Sequence, residues 1–156
     1  MYRAQCVEQS IIQLIVYCDF FPKQVSQYTT TERWAQEFDR FDEMLSEKTM
    51  GQLIKKLTAL GVVDTSIESL LREAITKRNH LAHRFFVDHG LSFVSTTGRD
   101  RMIKELEDNS ELFVSVENTL NPVTYKLCEK YGLTQEKLKE IECQLFEQAK
   151  SDHSPP

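Results

Sequence analysis

The sequence predicts an all-α protein, an antiparallel bundle of about six helices, on three observations. Apolar residues recur at three- and four-residue spacing along most of the chain, which is the period of a helix face. Helix-start signatures of the Ser/Thr-x-x-Glu/Gln type precede several of these runs. Only 5 Gly and 4 Pro occur in 156 residues, too few for the frequent turns of an all-β protein.

The length and composition fit a single domain. With 40% hydrophobic residues the chain can bury one core, and we assign the domain to residues 1–150, followed by a disordered tail at residues 151–156. The net charge of −5 argues against a general polyanion binder, so contact with nucleic acid requires a local basic patch.

The cysteines and the lack of targeting signals predict a reduced, cytoplasmic protein with no membrane association. The sequence has neither a signal-peptide pattern nor an apolar run long enough to span a bilayer. The cysteines form no C-x-x-C pair and no metal-ligand spacing, so we expect them to be reduced and in the core. They are Cys6, Cys18, Cys128 and Cys143.

Three helices are predicted in the first half of the chain. An apolar face repeats at helical spacing over Val7–Cys18. After a turn-rich link, the capping box Thr29–Glu32 starts a second helix, whose aromatic face we expect in the core. A second capping box, Thr49–Gln52, starts a short helix that ends at Gly61, a residue suited to the left-handed C′ position. The aromatic face comprises Trp34, Phe38 and Phe41.

A capped helix and a glycine-bounded link follow. The capping box Thr65–Glu68 opens a helix over roughly Ser66–Val87. The segment Gly90–Gly98 is rich in β-branched residues and is predicted as a loop or a short extended segment.

The last third of the chain is predicted as helices separated at Asn121–Pro122. A long helix begins near Arg99, and the chain restarts at Asn121–Pro122 because proline suits a first helical turn and disfavours helix at the preceding residue. The restarted helix is expected to end at Gly132, and Thr134 caps the last one. The inward residues of that last helix are predicted to be Leu138, Ile141 and Leu145.

The Ser66–Val87 helix carries a charge within its apolar face. On a helical wheel Arg78 falls in the middle of that face, and its guanidinium cannot lose its proton. Because an unpaired buried charge is costly, two alternatives remain. Either a carboxylate in the core forms a salt bridge with Arg78, or the face lines a cleft or subunit interface that an anion can reach. The apolar face comprises Ile67, Leu71, Ala74, Ile75, Leu81, Ala82 and Phe85.

Two further polar residues lie at the edge of this face. Asn79 and His83 are one turn apart, so Asn79 is expected to contact His83 and set its tautomer. Together with Arg78 they form a set that suits cleavage of an RNA phosphodiester. Arginine neutralises the phosphate, and histidine moves a proton at the 2′-hydroxyl or the leaving oxygen. The alternative for His83 is a histidine that only packs in the core or lies on the surface.

The same stretch resembles the signature of the HEPN superfamily, an arginine followed by a polar residue and, a few positions later, a histidine. Here the motif reads Arg78-Asn79-His80-Leu81-Ala82-His83, followed by Arg84-Phe85-Phe86. The segments Thr49–Ile54 and Gly98–Ile103 are also similar to bacterial members, so the resemblance covers roughly residues 32–120. It implies a helical bundle that forms a homodimer through the motif helix.

The resemblance implies a metal-independent endoribonuclease, of the kind that acts as the toxin in toxin–antitoxin and phage-defence systems. Arg78 would position and stabilise the scissile phosphate, His83 would be the acid or base, and Asn79 would orient the site. The expected products carry a 2′,3′-cyclic phosphate and a 5′-hydroxyl. Some members have lost activity, so the alternative is an inactive interaction module that binds a partner such as a nucleotidyltransferase-type antitoxin.

A local excess of basic residues surrounds the motif. Between Arg72 and Lys104, seven Lys or Arg stand against three Asp or Glu. This excess favours a short or single-stranded RNA region as the partner, although a solvated helix end would carry the same charges. The residues expected to contact RNA beside the catalytic ones are His80, Arg84, Arg99 and Arg101.

No cofactor and no metal is expected. His80, His83 and His89 suggest zinc, but no cysteine or glutamate stands at a matching sequence offset. The resemblance also implies chemistry without a metal.

Overall fold

The structure, a computed structural model, describes residues 1–152, which fold into helices joined by short links. Six of its helices have ten residues or more and no strand occurs in this range, so the all-α prediction is confirmed. In chain order the helices are α1 (Tyr2–Ile15), α2 (Phe21–Gln24), α3 (Thr31–Ser46), α4 (Met50–Ala59), α5 (Thr65–His83), α6 (Phe85–Asp88), α7 (Thr96–Lys130) and α8 (Gln135–Asp152).

The core lies between α1, α4, α5 and α7. α1 contributes the predicted repeat Val7, Ile11 and Leu14, each fully buried, and it packs along α7. The periodicity therefore identified the correct face of this helix. Further buried side chains of the core are Leu53 and Leu57 of α4, Leu71 and Ala74 of α5, and Phe113, Val116 and Leu120 of α7.

α3 joins the core through its aromatic rings. Trp34, Phe38 and Phe41 are half-buried, and their ring centroids lie 5.2, 5.6 and 5.2 Å from that of Phe20. Phe20 is buried at the end of a π-helical turn, Val16–Phe20, that continues α1. The predicted aromatic face is thus confirmed as core packing.

The helix starts follow the predicted caps to within one residue. The box of Thr49 and Gln52 is confirmed, since the Thr49 hydroxyl accepts from the Gln52 backbone N–H and Gln52 Oε1 accepts from the Thr49 N–H at 2.8 Å. α3 and α5 begin after Thr30 and Asp64. The side chain of each accepts a hydrogen bond from the backbone N–H of the residue three positions later in the chain. The other two predicted boxes are therefore wrong by one residue, because a neighbouring oxygen reaches the free N–H instead.

Glycines end α4 and α7 as predicted. Gly61 and Gly132 have φ of 67° and 77°, the left-handed conformation that a residue with a Cβ avoids.

α7 runs without interruption through Pro122, so the predicted restart at Asn121–Pro122 is wrong. A proline inside a helix leaves one carbonyl, that of Asn118, without its usual donor. Leu120 and Thr124 are buried on either side, and the Thr124 hydroxyl donates to the Leu120 carbonyl at 3.2 Å. Tertiary packing therefore outweighs the local preference against helix here.

The link before α7 is a loop with a single 3₁₀ turn at Ser92–Val94, one of the two predicted alternatives. α7 then begins at Thr96, earlier than predicted, because the Ser95 hydroxyl accepts from the Gly98 N–H at 3.0 Å and caps the helix.

The motif helix is shorter than predicted. α5 ends at His83, and Arg84 (φ −123°, ψ −30°) separates it from the single turn of α6, so the prediction of one continuous helix is wrong. The bend buries Phe85, which is 2% exposed and packs against the rings of His80 and His89. The ring lies outside the main core cluster, so the bend takes Phe85 off the core-facing side of α5 and packs it between the two histidines.

The last helix lies on the surface. Leu138 is half-buried, but Ile141 and Leu145 are 43% and 61% exposed, so the prediction that these two point inward is wrong. The core helices α1, α4, α5 and α7 pack against one another, and none of them buries the side of α8 that carries Ile141 and Leu145. α8 extends to Asp152, and the rest of the predicted tail, residues 153–156, lies outside the described residues.

The cysteines are all free but are not all in the core. Cys128 is buried, and Cys6 and Cys18 are half-buried. Cys143 is exposed, because it belongs to the surface helix α8, so the prediction for this residue is wrong. Within residues 1–152, no helix combines the length and the apolar character that crossing a bilayer requires.

Candidate functional site

Arg78, Asn79 and His83 line one pocket of about 600 Å³, called here the motif pocket. The opposite wall is the start of α4, with Thr49 as its N-cap and Gly51 in its first turn. The other lining residues are Glu8, Glu47, Lys48, Met50 and Ile75. The three residues of the predicted motif thus share a solvent-accessible cavity.

Arg78 has no carboxylate partner in the described part of the chain. Its side chain is half-buried, and its Nη1 donates to Asn79 Oδ1 at 3.2 Å. No Asp or Glu oxygen of the described side chains lies within 4.0 Å of it. Of the two alternatives for this arginine, the cleft is therefore found and the core salt bridge is not.

Asn79 Oδ1 accepts a hydrogen bond from Arg78, and among the described residues no hydrogen bond joins Asn79 to His83, so the interaction expected to set the His83 tautomer is not found there. The amide oxygen of Asn79 accepts from the guanidinium, a charged donor, which is the stronger of the two possible hydrogen bonds. His83 is exposed in the last turn of α5, and no hydrogen bond to its ring is present among the described residues. Its imidazole nitrogens are therefore open to a ligand in the motif pocket.

The start of α4 adds main-chain donors to the same pocket, a feature that sequence reasoning missed. The first N–H groups of a helix have no main-chain partner within the helix and carry partial positive charge. In α4 the capping box occupies those of Thr49 and Gln52, which leaves the N–H groups of Met50 and Gly51 as the available donors. Gly51 lets this end approach α5, since a Cβ there would lie 3.1 Å from Ile75 Cδ1. The capping box at Thr49 was a signal for where α4 starts, but not for what that end faces.

The motif pocket contains charges of both signs. Lys48 and Arg78 provide the positive charges, while Glu8 and Glu47 provide two carboxylates. The electrostatic potential of the motif pocket is therefore not strongly positive overall. An anion would instead be held by specific hydrogen-bond donors, namely the Arg78 guanidinium, the Lys48 ammonium and the α4 amides.

The four residues expected to contact RNA do not line the motif pocket. Arg84 forms an ion pair with Asp88 at 2.8 Å, and Arg99 donates to the Phe93 carbonyl at 2.8 Å. Arg101 lines a second cavity of about 630 Å³, between α5 and α7. His80 lies beside a carboxylate of α7, Glu105, with 3.2 Å between Nε2 and Oε1.

His80, His89 and Glu105 come together at the end of α5 and form the one group of described residues with the composition and spacing of a metal site. Glu105 was missed in the sequence, because α7 brings it to the histidines from a distant part of the chain.

Comparison of the chain with protein-family models, with curated proteins and with solved structures finds no match.

Proposed function

We propose that this protein is a cytoplasmic, metal-independent endoribonuclease of the HEPN type. The observation that carries the proposal is the motif pocket, a cavity lined by Arg78, His83 and a helix N-terminus. Within residues 1–152 this arginine has no carboxylate partner and this histidine has no hydrogen bond to its ring. Free cysteines and the lack of a membrane-spanning helix in residues 1–152 agree with that location.

In this proposal the scissile phosphate binds to Arg78 and to the first amides of α4. The ribose 2′-oxygen attacks phosphorus, and the bond from phosphorus to the 5′-oxygen breaks. His83 accepts the proton of the 2′-hydroxyl or donates one to the leaving oxygen. Asn79 holds the Arg78 guanidinium through its hydrogen bond, and so orients the phosphate. The products carry a 2′,3′-cyclic phosphate and a 5′-hydroxyl.

The active form in this proposal is a homodimer. One motif pocket contains one imidazole, whereas cleavage needs both a proton acceptor and a proton donor. A second copy of the chain supplies the second imidazole if the two motif helices pack together. An exposed apolar surface directly after the motif, called here the apolar loop, supports this arrangement. It consists of Phe86, Val87, Leu91, Phe93 and Val94, which are 45–88% exposed.

The test is cleavage of total RNA and of purified tRNA in the presence of EDTA. Arg78→Ala and His83→Ala should each reduce the rate by about 100-fold or more, the usual contribution of a charge-stabilising or proton-transferring group. The matched control is Arg40→Ala, which removes an exposed arginine of α3 that pairs with Glu37 of the same helix. Circular dichroism verifies that each variant is folded. The proposal fails if the wild-type protein cuts neither RNA, or if the variants cut as fast as the control.

The second candidate function is a non-catalytic interaction module, and the apolar loop is the observation that favours it. In that case the loop binds a partner protein, such as a nucleotidyltransferase-type antitoxin. This candidate is supported by a stable complex that His83→Ala leaves intact, together with no RNA cleavage by the wild-type protein. If the ribonuclease is instead a toxin, the same antitoxin should inhibit cleavage.

A further inference from the structure

Three side chains from separate segments meet beside the end of α5. His80 belongs to the last turn of α5, His89 follows α6, and Glu105 lies on α7. His89 Nε2 lies 2.7 Å from Glu105 Oε2, and His80 Nε2 lies 3.2 Å from Glu105 Oε1. The carboxylate thus presents one oxygen to each imidazole. One ligand atom from each of the three residues lies within 4.8 Å of the others.

These separations are close to those of a zinc site. Zinc binds histidine nitrogen and carboxylate oxygen at about 2.0–2.2 Å, so neighbouring ligands of a tetrahedral ion are about 3.3 Å apart. The three ligand atoms all lie within 4.8 Å of one another, near that spacing. Two histidines and one glutamate also form a known ligand set of zinc sites that keep a fourth position for water.

The His80 ring carries the second observation that points to a ligand. Its Nε2 is buried but makes no hydrogen bond within the described residues. Glu105 Oε1 is within ion-pair distance of it, but not in the direction that a hydrogen bond requires. A buried nitrogen without a partner is costly, and a metal ion at the centre of the cluster would accept its lone pair.

The surroundings already orient the two histidines. Asp88 Oδ2 lies 3.8 Å from His80 Nδ1, and the other oxygen of Asp88 accepts from Arg84 at 2.8 Å. At 3.8 Å these two atoms are within ion-pair range but too far apart for a hydrogen bond. A metal-binding histidine commonly donates its second ring N–H to a carboxylate, and Asp88 is the carboxylate on that side of the His80 ring. The buried ring of Phe85 packs on both imidazoles, with centroid distances of 6.3 Å to His80 and 4.8 Å to His89.

We propose that His80, His89 and Glu105 bind one Zn²⁺ ion, with water as the fourth ligand. The ion fastens the end of α5 and the turn after α6 to α7. This site is separate from the motif pocket. The proposal departs from the sequence-based expectation of no metal, which took no account of Glu105. Glu105 also lines the second cavity, so the site borders that space.

The test uses full-length protein that has been treated with a chelator and then dialysed. Titration with Zn²⁺ in a calorimeter should give one ion per chain, and Co²⁺ should give the visible absorption of a tetrahedral ion. His89→Ala and Glu105→Gln should weaken Zn²⁺ binding by more than about 100-fold, since even partners of ligands contribute about 10–100-fold. Asp88→Asn should weaken it by about tenfold.

Two variants serve as matched controls for this test. Among residues 1–152, His83 is the histidine that does not belong to the cluster, and His83→Ala removes it. Glu107→Gln removes an exposed carboxylate of α7, the helix that carries Glu105. Both should bind Zn²⁺ like the wild-type protein. The proposal is overturned if the wild-type protein takes up no Zn²⁺, if Co²⁺ gives no tetrahedral spectrum, or if His89→Ala and Glu105→Gln bind as the controls do. None of these measurements depends on RNA cleavage.

Discussion

Asp19 is a buried carboxylate outside both proposed sites. It is 5% exposed in the π-helical turn after α1 and accepts hydrogen bonds from Lys23 and from Lys56 of α4. Burial alone would raise the pKa of Asp19, but the hydrogen bonds from the two lysines outweigh it and hold the pKa below its ordinary value. Through Lys56, this carboxylate ties the end of α1 to the helix whose N-terminus lines the motif pocket.

Asp19→Asn is expected to lower the free energy of unfolding by about 1–3 kcal/mol near neutral pH, because the amide accepts hydrogen bonds without the charge. Since the folded pKa is depressed, this contribution is present above the unfolded pKa of about 3.9 and is lost as the pH falls through the folded value. Urea unfolding at about pH 7 and about pH 3 measures it, and the difference from wild type should shrink in acid.

The matched control for that prediction is Asp39→Asn, which changes an exposed carboxylate of α3. It should alter stability by no more than about 0.5 kcal/mol. A difference between Asp19→Asn and wild type that stays the same at both pH values would contradict the pKa argument.

Arg78 illustrates how far the role of one residue follows from the sequence. A guanidinium keeps its charge, so its position on an apolar face predicted either a carboxylate or a cleft, and the cleft is found. The hydrogen bond from Arg78 to Asn79 depends on side-chain rotamers, which helical spacing does not specify. The wall formed by α4 comes from another part of the chain, and so leaves no local pattern.

Gly98 joins the start of α7 to the preceding 3₁₀ turn. A Cβ on this residue would lie 2.2 Å from the Ser92 carbonyl oxygen and 2.7 Å from Ser92 Cα. Both atoms belong to the main chain, so a side-chain rotation cannot relieve the overlap. The absence of a side chain at this position allows the turn to pack on the helix.

Gly98→Ala is therefore expected to lower the free energy of unfolding by about 1–3 kcal/mol through overpacking. Gly90→Ala is the matched control, because its nearest atoms would be 3.6 Å from the new Cβ, an ordinary contact. The control should change stability by no more than about 0.5 kcal/mol. Urea unfolding followed by circular dichroism measures both, and equal effects would refute the steric explanation.

At the scale of the helices, periodicity and caps predicted most elements, and the errors have a common cause. α5 breaks before Phe85, and α7 continues through Pro122. In both cases side-chain packing in the fold outweighs the local preference. Phe85 packs on His80 and His89 after the break, and Leu120 and Thr124 are buried on either side of Pro122. Helical spacing and residue preferences do not specify this packing.

The apolar loop is the feature on which the proposed assembly of the whole molecule depends. Leu91 and Val94 are 88% and 82% exposed, and the rings of Phe86 and Phe93 stack at 5.9 Å beside them. Exposed apolar side chains clustered in this way mark interaction sites. Because the loop follows the motif helix directly, a second copy bound there brings the two motif helices close together.

Leu91→Asp combined with Val94→Asp should weaken dimerisation by at least about 30-fold, which corresponds to about 2 kcal/mol. Sedimentation velocity should give a dimer of the 18.2 kDa chain for the wild type and a monomer for this variant. Val25→Asp, at a residue that is 49% exposed outside the loop, is the matched control and should remain dimeric. A monomeric wild type, or a variant that remains dimeric, would show that the loop has another role.

The pairing of α1 with α7 has a consequence for synthesis on the ribosome. Leu14 and Val116 are both fully buried in this core, yet roughly 100 residues separate them along the chain. At a translation rate of about 5–20 residues per second, α1 emerges about 5–20 s before the helix that covers it. Throughout that interval its apolar face is exposed, so the nascent chain should be a client for chaperones that bind amphipathic helices.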